Sequence, residues 1–69
     1  MSLEDLEARV RKLSMRATDA KMNLHDLAEE LPVDWEKIPA VAAETHEIFR
    51  DLSAARQALK AAKKAAEEA

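Results

Sequence analysis

Leu27-Ala28-Glu29-Glu30-Leu31-Pro32-Val33-Asp34-Trp35-Glu36-Lys37-Ile38 is where two long heptad patterns meet, and Pro32 separates them. Upstream, Leu3, Leu6, Val10, Leu13, Ala17, Ala20, Leu24, Leu27 and Leu31 recur at alternating steps of three and four residues. That spacing lines one face of a helix with about 3.6 residues per turn. Downstream, Ile38, Val41, Thr45, Ile48, Leu52, Ala55, Leu59, Ala62 and Ala66 repeat the pattern, with Thr45 the only polar member. Two helices joined by a short connection either fold back on each other or extend as one rod. A proline at the junction lacks an N–H and pushes Leu31 out of helical geometry, which favours folding back. The sequence therefore predicts an all-α chain, a single domain over residues 1–69: helix 1 over about 2–31, a turn over about 32–35, and helix 2 over about 36–67, antiparallel in a helical hairpin.

Local signals refine these limits. Ser2-Leu3-Glu4-Asp5 reads as a capping box, with Glu4 and Asp5 complementing the helix dipole. Asp34 reads as the N-cap of helix 2, with Val33 and Ile38 as its hydrophobic staple. Pro39 complicates that start, because a proline inside the helix cannot bond the Trp35 carbonyl; residues 35–38 are expected to form a distorted first turn, with regular helix from near Pro39. The run from Ala54 to Ala69 is rich in Ala and Lys, with high helix propensity and little bulk, and Glu67-Glu68 opposes the dipole, so the end is expected to fray.

Stacking the two seams places Leu31 on Ile38, Leu27 on Ala42, Leu24 on Thr45, Ala17 on Leu52, Val10 on Leu59 and Leu3 on Ala66. Chains shorter than roughly 70–80 residues seldom bury enough apolar surface to stand alone. This chain of 69 residues has no Cys for a disulfide framework. An isolated hairpin leaves much of each Leu in water at about 25 cal/mol per Å². The expectation is a homo-oligomer in which hairpins assemble into a four-helix-type bundle, as an antiparallel dimer or tetramer. Charge supplies the orientation. Asp26, Glu29, Glu30, Asp34, Glu36, Glu44 and Glu47 make the turn half acidic against Lys37 alone. Arg9, Arg11, Lys12, Arg16 and Lys21, with Arg50, Arg56, Lys60, Lys63 and Lys64, make the middle basic. An antiparallel pair sets the acidic turn beside the basic middle.

The function classes narrow accordingly. No apolar run approaches the ~20 residues of a membrane span, and no apolar leader precedes a cleavage site, so no membrane role and a cytoplasmic location are expected. The net charge of −3 disfavours nucleic acid, and the basic middle lacks stacking aromatics, which weakens the alternative of a small RNA-binding hairpin. Without Gly there is no phosphate loop, and Ser2, Ser14 and Ser53 have no His at helical contact spacing. A non-enzymatic protein without a cofactor is predicted. The alternative is a divalent-metal carrier or sensor. His25 and His46 fall at nearly the same height on one flank of the hairpin, with Glu29 one turn from His25 and Asp26 and Glu47 nearby, a donor set suited to such an ion within a hairpin or across an interface. The competing reading is of two histidines that are solvated or edge an oligomer contact. On the same flank, Trp35, Ala42 and Phe49, with Ala28 and Met22, form an apolar patch that either contacts a partner or widens the core of a bundle. Thr45 either bonds the Val41 carbonyl within its own helix or sets register between helices.

The stretch from Lys21 to Pro32 (Lys-Met-Asn-Leu-His-Asp-Leu-Ala-Glu-Glu-Leu-Pro), then Trp35, then Glu44 to Leu52 (Glu-Thr-His-Glu-Ile-Phe-Arg-Asp-Leu), resembles the small Rop-like proteins associated with nitrogen fixation. Arg11 to Thr18 resembles them as well, and the resemblance spans residues 6–59. It rests on a Leu-His-Asp-Leu-Ala-Glu run before the turn proline and a Thr-x-x-x-Phe after it. It implies an oligomerising helical hairpin encoded among nitrogen-fixation genes, which supports nitrogenase maturation or regulation through contact with a nitrogen-fixation protein and has no established reaction. Rop-like describes the shape and does not carry RNA binding with it. The resemblance singles out His25, Asp26, Leu27, Glu29, Pro32, Thr45 and Phe49, and leaves the tail after Leu59 outside.

Overall fold

The computed structural model describes residues 1–68. Ser2 opens the first helix, α1, which spans Leu3–Glu30. Its hydroxyl accepts a hydrogen bond from the Asp5 N–H at 3.1 Å, and the Asp5 carboxylate accepts from the Ser2 N–H at 3.4 Å, so the capping box is formed. Leu31 leaves helical geometry with ψ at 140°, and the Leu31–Pro32 bond is cis. The Val33 N–H donates to the Glu30 carbonyl at 2.9 Å, which closes one of the free carbonyls at the end of α1.

Pro39 shapes the start of the second helix. The Trp35 carbonyl, which Pro39 cannot bond, accepts instead from the Ile38 N–H, and the tighter spacing makes Trp35–Lys37 a 3-10 turn. The second helix, α2, spans Ile38–Glu68, with Pro39 in its first turn, where a missing N–H costs little. Ala69, the last residue of the tail expected to fray, lies outside the described residues. The expected capping role of Asp34 is corrected. Asp34 adopts the left-handed conformation, φ 59° and ψ 25°, and its side chain makes no cap hydrogen bond. A capping side chain normally acts from an extended backbone. Here the Asp34 carbonyl accepts from the Lys37 N–H at 2.9 Å, and the carboxylate lies 3.5 Å from the Lys37 ammonium.

α1 and α2 pack along each other as a rod of 55 × 15 × 15 Å. The core sits mid-rod, where Leu13, Ala17, Leu52 and Ala55 form a buried cluster with Val10 and Ile48 packed against it. Ala17 and Leu52, paired on paper, meet there. The small Ala17 and Ala55 leave room for the larger Leu13 and Leu52 between closely spaced backbones. Arg16, Ala20 and Asn23 share a groove with Glu44, Thr45 and Ile48, which carries the same register toward the turn. The Thr45 hydroxyl donates to the Val41 carbonyl at 2.8 Å, the local bond rather than a contact across the seam. Toward the turn the seam opens. Leu24, Leu27 and Val41 are half-buried, and Leu31 and Ile38 are exposed.

Candidate docking surface and acidic-histidine cluster

Two features stand on the turn half. The first is apolar. Val33 and Trp35 are held at the tip by the short hydrogen-bonded turn, and Trp35 remains 62% exposed. Met22 on α1 and Phe49 on α2 are exposed as well, at 58% and 42%, as are the small Ala28 and Ala42. At ~1.5 Å per residue, Phe49 stands roughly 20 Å from Trp35 along the hairpin. The grooves around Phe49 therefore form a place of their own. One runs between His46, Phe49, Arg50, Ser53, Ala54 and Gln57. The other runs between Phe49, Leu52, Ser53, Arg56, Gln57 and Lys60. Sequence reading assigned Phe49 to the apolar patch and Arg56 and Lys60 to the basic middle, and did not join them with Ser53 into one surface. The signal was there, since steps of three and four from position 49 reach 53, 56 and 60 along one helical face.

The second feature is polar. His25 Nε2 lies 3.4 Å from Glu29 Oε1, one turn along α1, and His25 Nδ1 lies 3.7 Å from Asp26 Oδ1. Ligand-capable atoms of His25, Asp26 and Glu29 all fall within 4.8 Å of one another, and all three residues are exposed. This group lies on a single helix, and of the metal-ligating residues expected from the sequence it contains His25 and Glu29. His46 faces the groove beside Phe49 and is not part of the cluster. The neighbouring Glu47 is engaged with Arg50 at 3.7 Å. Among the described residues no helix is long and apolar enough to cross a membrane.

Comparison with known proteins agrees with this architecture. A UPF0437 protein of Azorhizobium caulinodans is 50% identical over 58 residues, covering 84% of this chain and 84% of the relative. UPF0437 protein y4xE of Sinorhizobium fredii is 52% identical over 59 residues, covering 86% of this chain and 88% of the relative. A Frankia alni protein, named as the UPF0437 protein in the nifX-nifW intergenic region, is 43% identical over 47 residues, covering 68% of this chain and 57% of its own length. No solved structure matches the chain. The Rop-like family pattern matches residues 1–64, so it reaches past Leu59, where the sequence resemblance stopped, into the Lys-rich part of the tail. With its proline-broken pair of heptad seams folded into a two-helix hairpin, the chain belongs to the Rop-like family.

Proposed function

We propose that this chain is an oligomeric, non-enzymatic accessory protein of nitrogen fixation, which supports nitrogenase maturation or regulation through protein–protein contacts at its turn. The observation that carries this reading is the name of the Frankia alni relative, which places that protein between nifX and nifW. The exposed Trp35 supports it, because a solvent-facing tryptophan on a short ordered turn is an anchor of the kind that dominates protein interfaces. The test is complementation of a diazotroph that lacks its own UPF0437 gene. The chain should restore nitrogenase activity, and Trp35→Ala should fail to do so while keeping its helical circular dichroism. A deletion strain that fixes nitrogen at the wild-type rate overturns the reading.

The cluster of His25, Asp26 and Glu29 supports a second reading, a divalent-metal carrier or sensor. Imidazole and carboxylate donors suit Zn²⁺ or Ni²⁺, although each ring nitrogen here faces a different carboxylate. Titration calorimetry with Zn²⁺ should then give one site per chain that is lost in His25→Ala and kept in His46→Ala. Equal binding by the His25→Ala variant removes this reading.

A further inference from the structure

The tip of the hairpin carries more apolar surface and more negative charge than a connection between two helices requires. Four of the nine exposed large hydrophobic side chains, Leu31, Val33, Trp35 and Ile38, crowd into that one end of the rod. The backbone that holds them is ordered: the N–H groups of Val33, Trp35 and Lys37 donate to the carbonyls of Glu30, Pro32 and Asp34. A turn that only had to reverse the chain could be polar throughout and leave no such surface in water. The acids are misplaced for the helix that bears them. Glu29 and Glu30 lie at the end of α1, where the dipole already concentrates negative charge and favours cations, and the last turn has no basic residue. The first turn of α2, where carboxylates would be favoured, has none. Asp34 and Glu36 add to the same end, and Lys37, its only Lys or Arg, lies 3.5 Å from the Asp34 carboxylate. Among the described residues, Glu30 and Glu36 have no cation within 4.0 Å. Two local rules broken at one place point to a contact outside the chain.

We propose that the tip is a plug: Trp35 enters an apolar pocket on a different protein, and Glu30 and Glu36 meet lysines and arginines on the rim of that pocket. Size decides for a pocket. The end of a rod 15 Å across presents about 200 Å² in projection, against the roughly 800 Å² that each partner gives a standard stable interface, so a flat surface would not hold it. A concave socket also covers the sides of the turn, and one indole buried in it contributes about 150–250 Å². Charge decides against a second copy of this chain. Two tips would set acid against acid, and the cations Arg56, Lys60, Lys63 and Lys64 border an open groove along one helix rather than a socket. The plug rests on the contact at the turn in the proposed function and names the chemistry of its partner.

The test expresses the full chain in a nitrogen-fixing diazotroph with photoreactive benzoylphenylalanine in place of Trp35 or, as a control, of Met15, which is exposed on α1 away from the tip. Illumination should join position 35, and not position 15, to another protein, at a segment that carries Lys or Arg. That protein, purified, is then titrated against the chain. Fluorotryptophan at the only Trp should show its fluorine resonance shift as the indole leaves water. By calorimetry, Trp35→Ala and Glu30→Lys/Glu36→Lys should each weaken Kd by at least about tenfold, and added salt should weaken the wild-type complex. Glu30→Lys alone supplies the missing cation at the end of α1, so its melt by circular dichroism should be no lower than that of wild type. Binding lost together with helix would make Glu30 a residue of the fold and overturn its place on the rim. Position 35 joined only to another copy of this chain or to nothing, or a charge-reversed variant that binds like wild type, overturns the plug. Joining requires expression and no growth phenotype, so a deletion strain that fixes nitrogen normally removes the functional reading alone, and a failed plug leaves complementation untouched.

Discussion

Leu52 is 3% exposed and lies in one cluster with Leu13, Ala17 and Ala55, so its side chain bears more of the folding free energy than its place in a regular heptad suggests. Leu52→Ala should cost about 2–5 kcal/mol, most of what a chain of this size has available. Thermal melting by circular dichroism should show a large drop in Tm or an unfolded chain at room temperature. Leu31 belongs to the same seam pattern but is 42% exposed, and Leu31→Ala should change the melt far less. In the sequence the two leucines are equivalent; burial distinguishes them. Thr45 behaves in the same way. Its polar hydroxyl within an apolar seam left two alternatives in the sequence, a bond to the Val41 carbonyl or a contact across the seam, and the 2.8 Å bond to the Val41 carbonyl makes it a local feature of α2. Among the candidate site residues, the His25–Glu29 contact followed from i,i+4 spacing, and the contact of the other ring nitrogen with Asp26 is what the folded helix added.

The two helices, the break between them and the place of the turn were readable from period and proline, and the conformation of the turn was not. Pro39 announced an irregular first turn; that this becomes a 3-10 turn follows from the hand-over of the Trp35 carbonyl to the Ile38 N–H. Asp34 looked like a capping residue by type, but the chain must reverse within four residues, and the left-handed backbone at Asp34 accomplishes part of that reversal. Asp tolerates this conformation better than most residues, and β-branched side chains tolerate it poorly. Asp34→Val should therefore lower stability by about 1–2 kcal/mol, while Asp34→Gly should be close to neutral, since relief at positive φ offsets the loss of the Lys37 contact and the added freedom of the unfolded chain. Urea unfolding of the two variants side by side checks this. Comparable losses in both would mean that the carboxylate, and not the backbone, is what the turn needs.

At the scale of the whole molecule, the distribution of charge has more consequences than its sum. A net charge of −3 conceals an acidic turn half and a basic middle, and among the described residues Arg56, Lys60, Lys63 and Lys64 of α2 have no carboxylate within 4.0 Å. If hairpins pair with the acidic turn of one beside the basic middle of another, raising NaCl from low to about 0.5 M should weaken self-association, because the screening length falls below ~10 Å beyond 0.1 M salt. Sedimentation equilibrium across that range checks it, and a salt-independent mass would assign the contact to apolar surface alone. Period, proline and the Ser2 capping box are properties of neighbouring residues, so the amino-acid sequence alone determined the helices, their approximate limits and the hairpin, and the Leu-His-Asp-Leu-Ala-Glu run with the later Thr-x-x-x-Phe carried the family resemblance. Depth of burial, the handedness of Asp34 and the groove beside Phe49 depend on which side chains two helices 28 and 31 residues long bring together across space, and only the folded hairpin decided them.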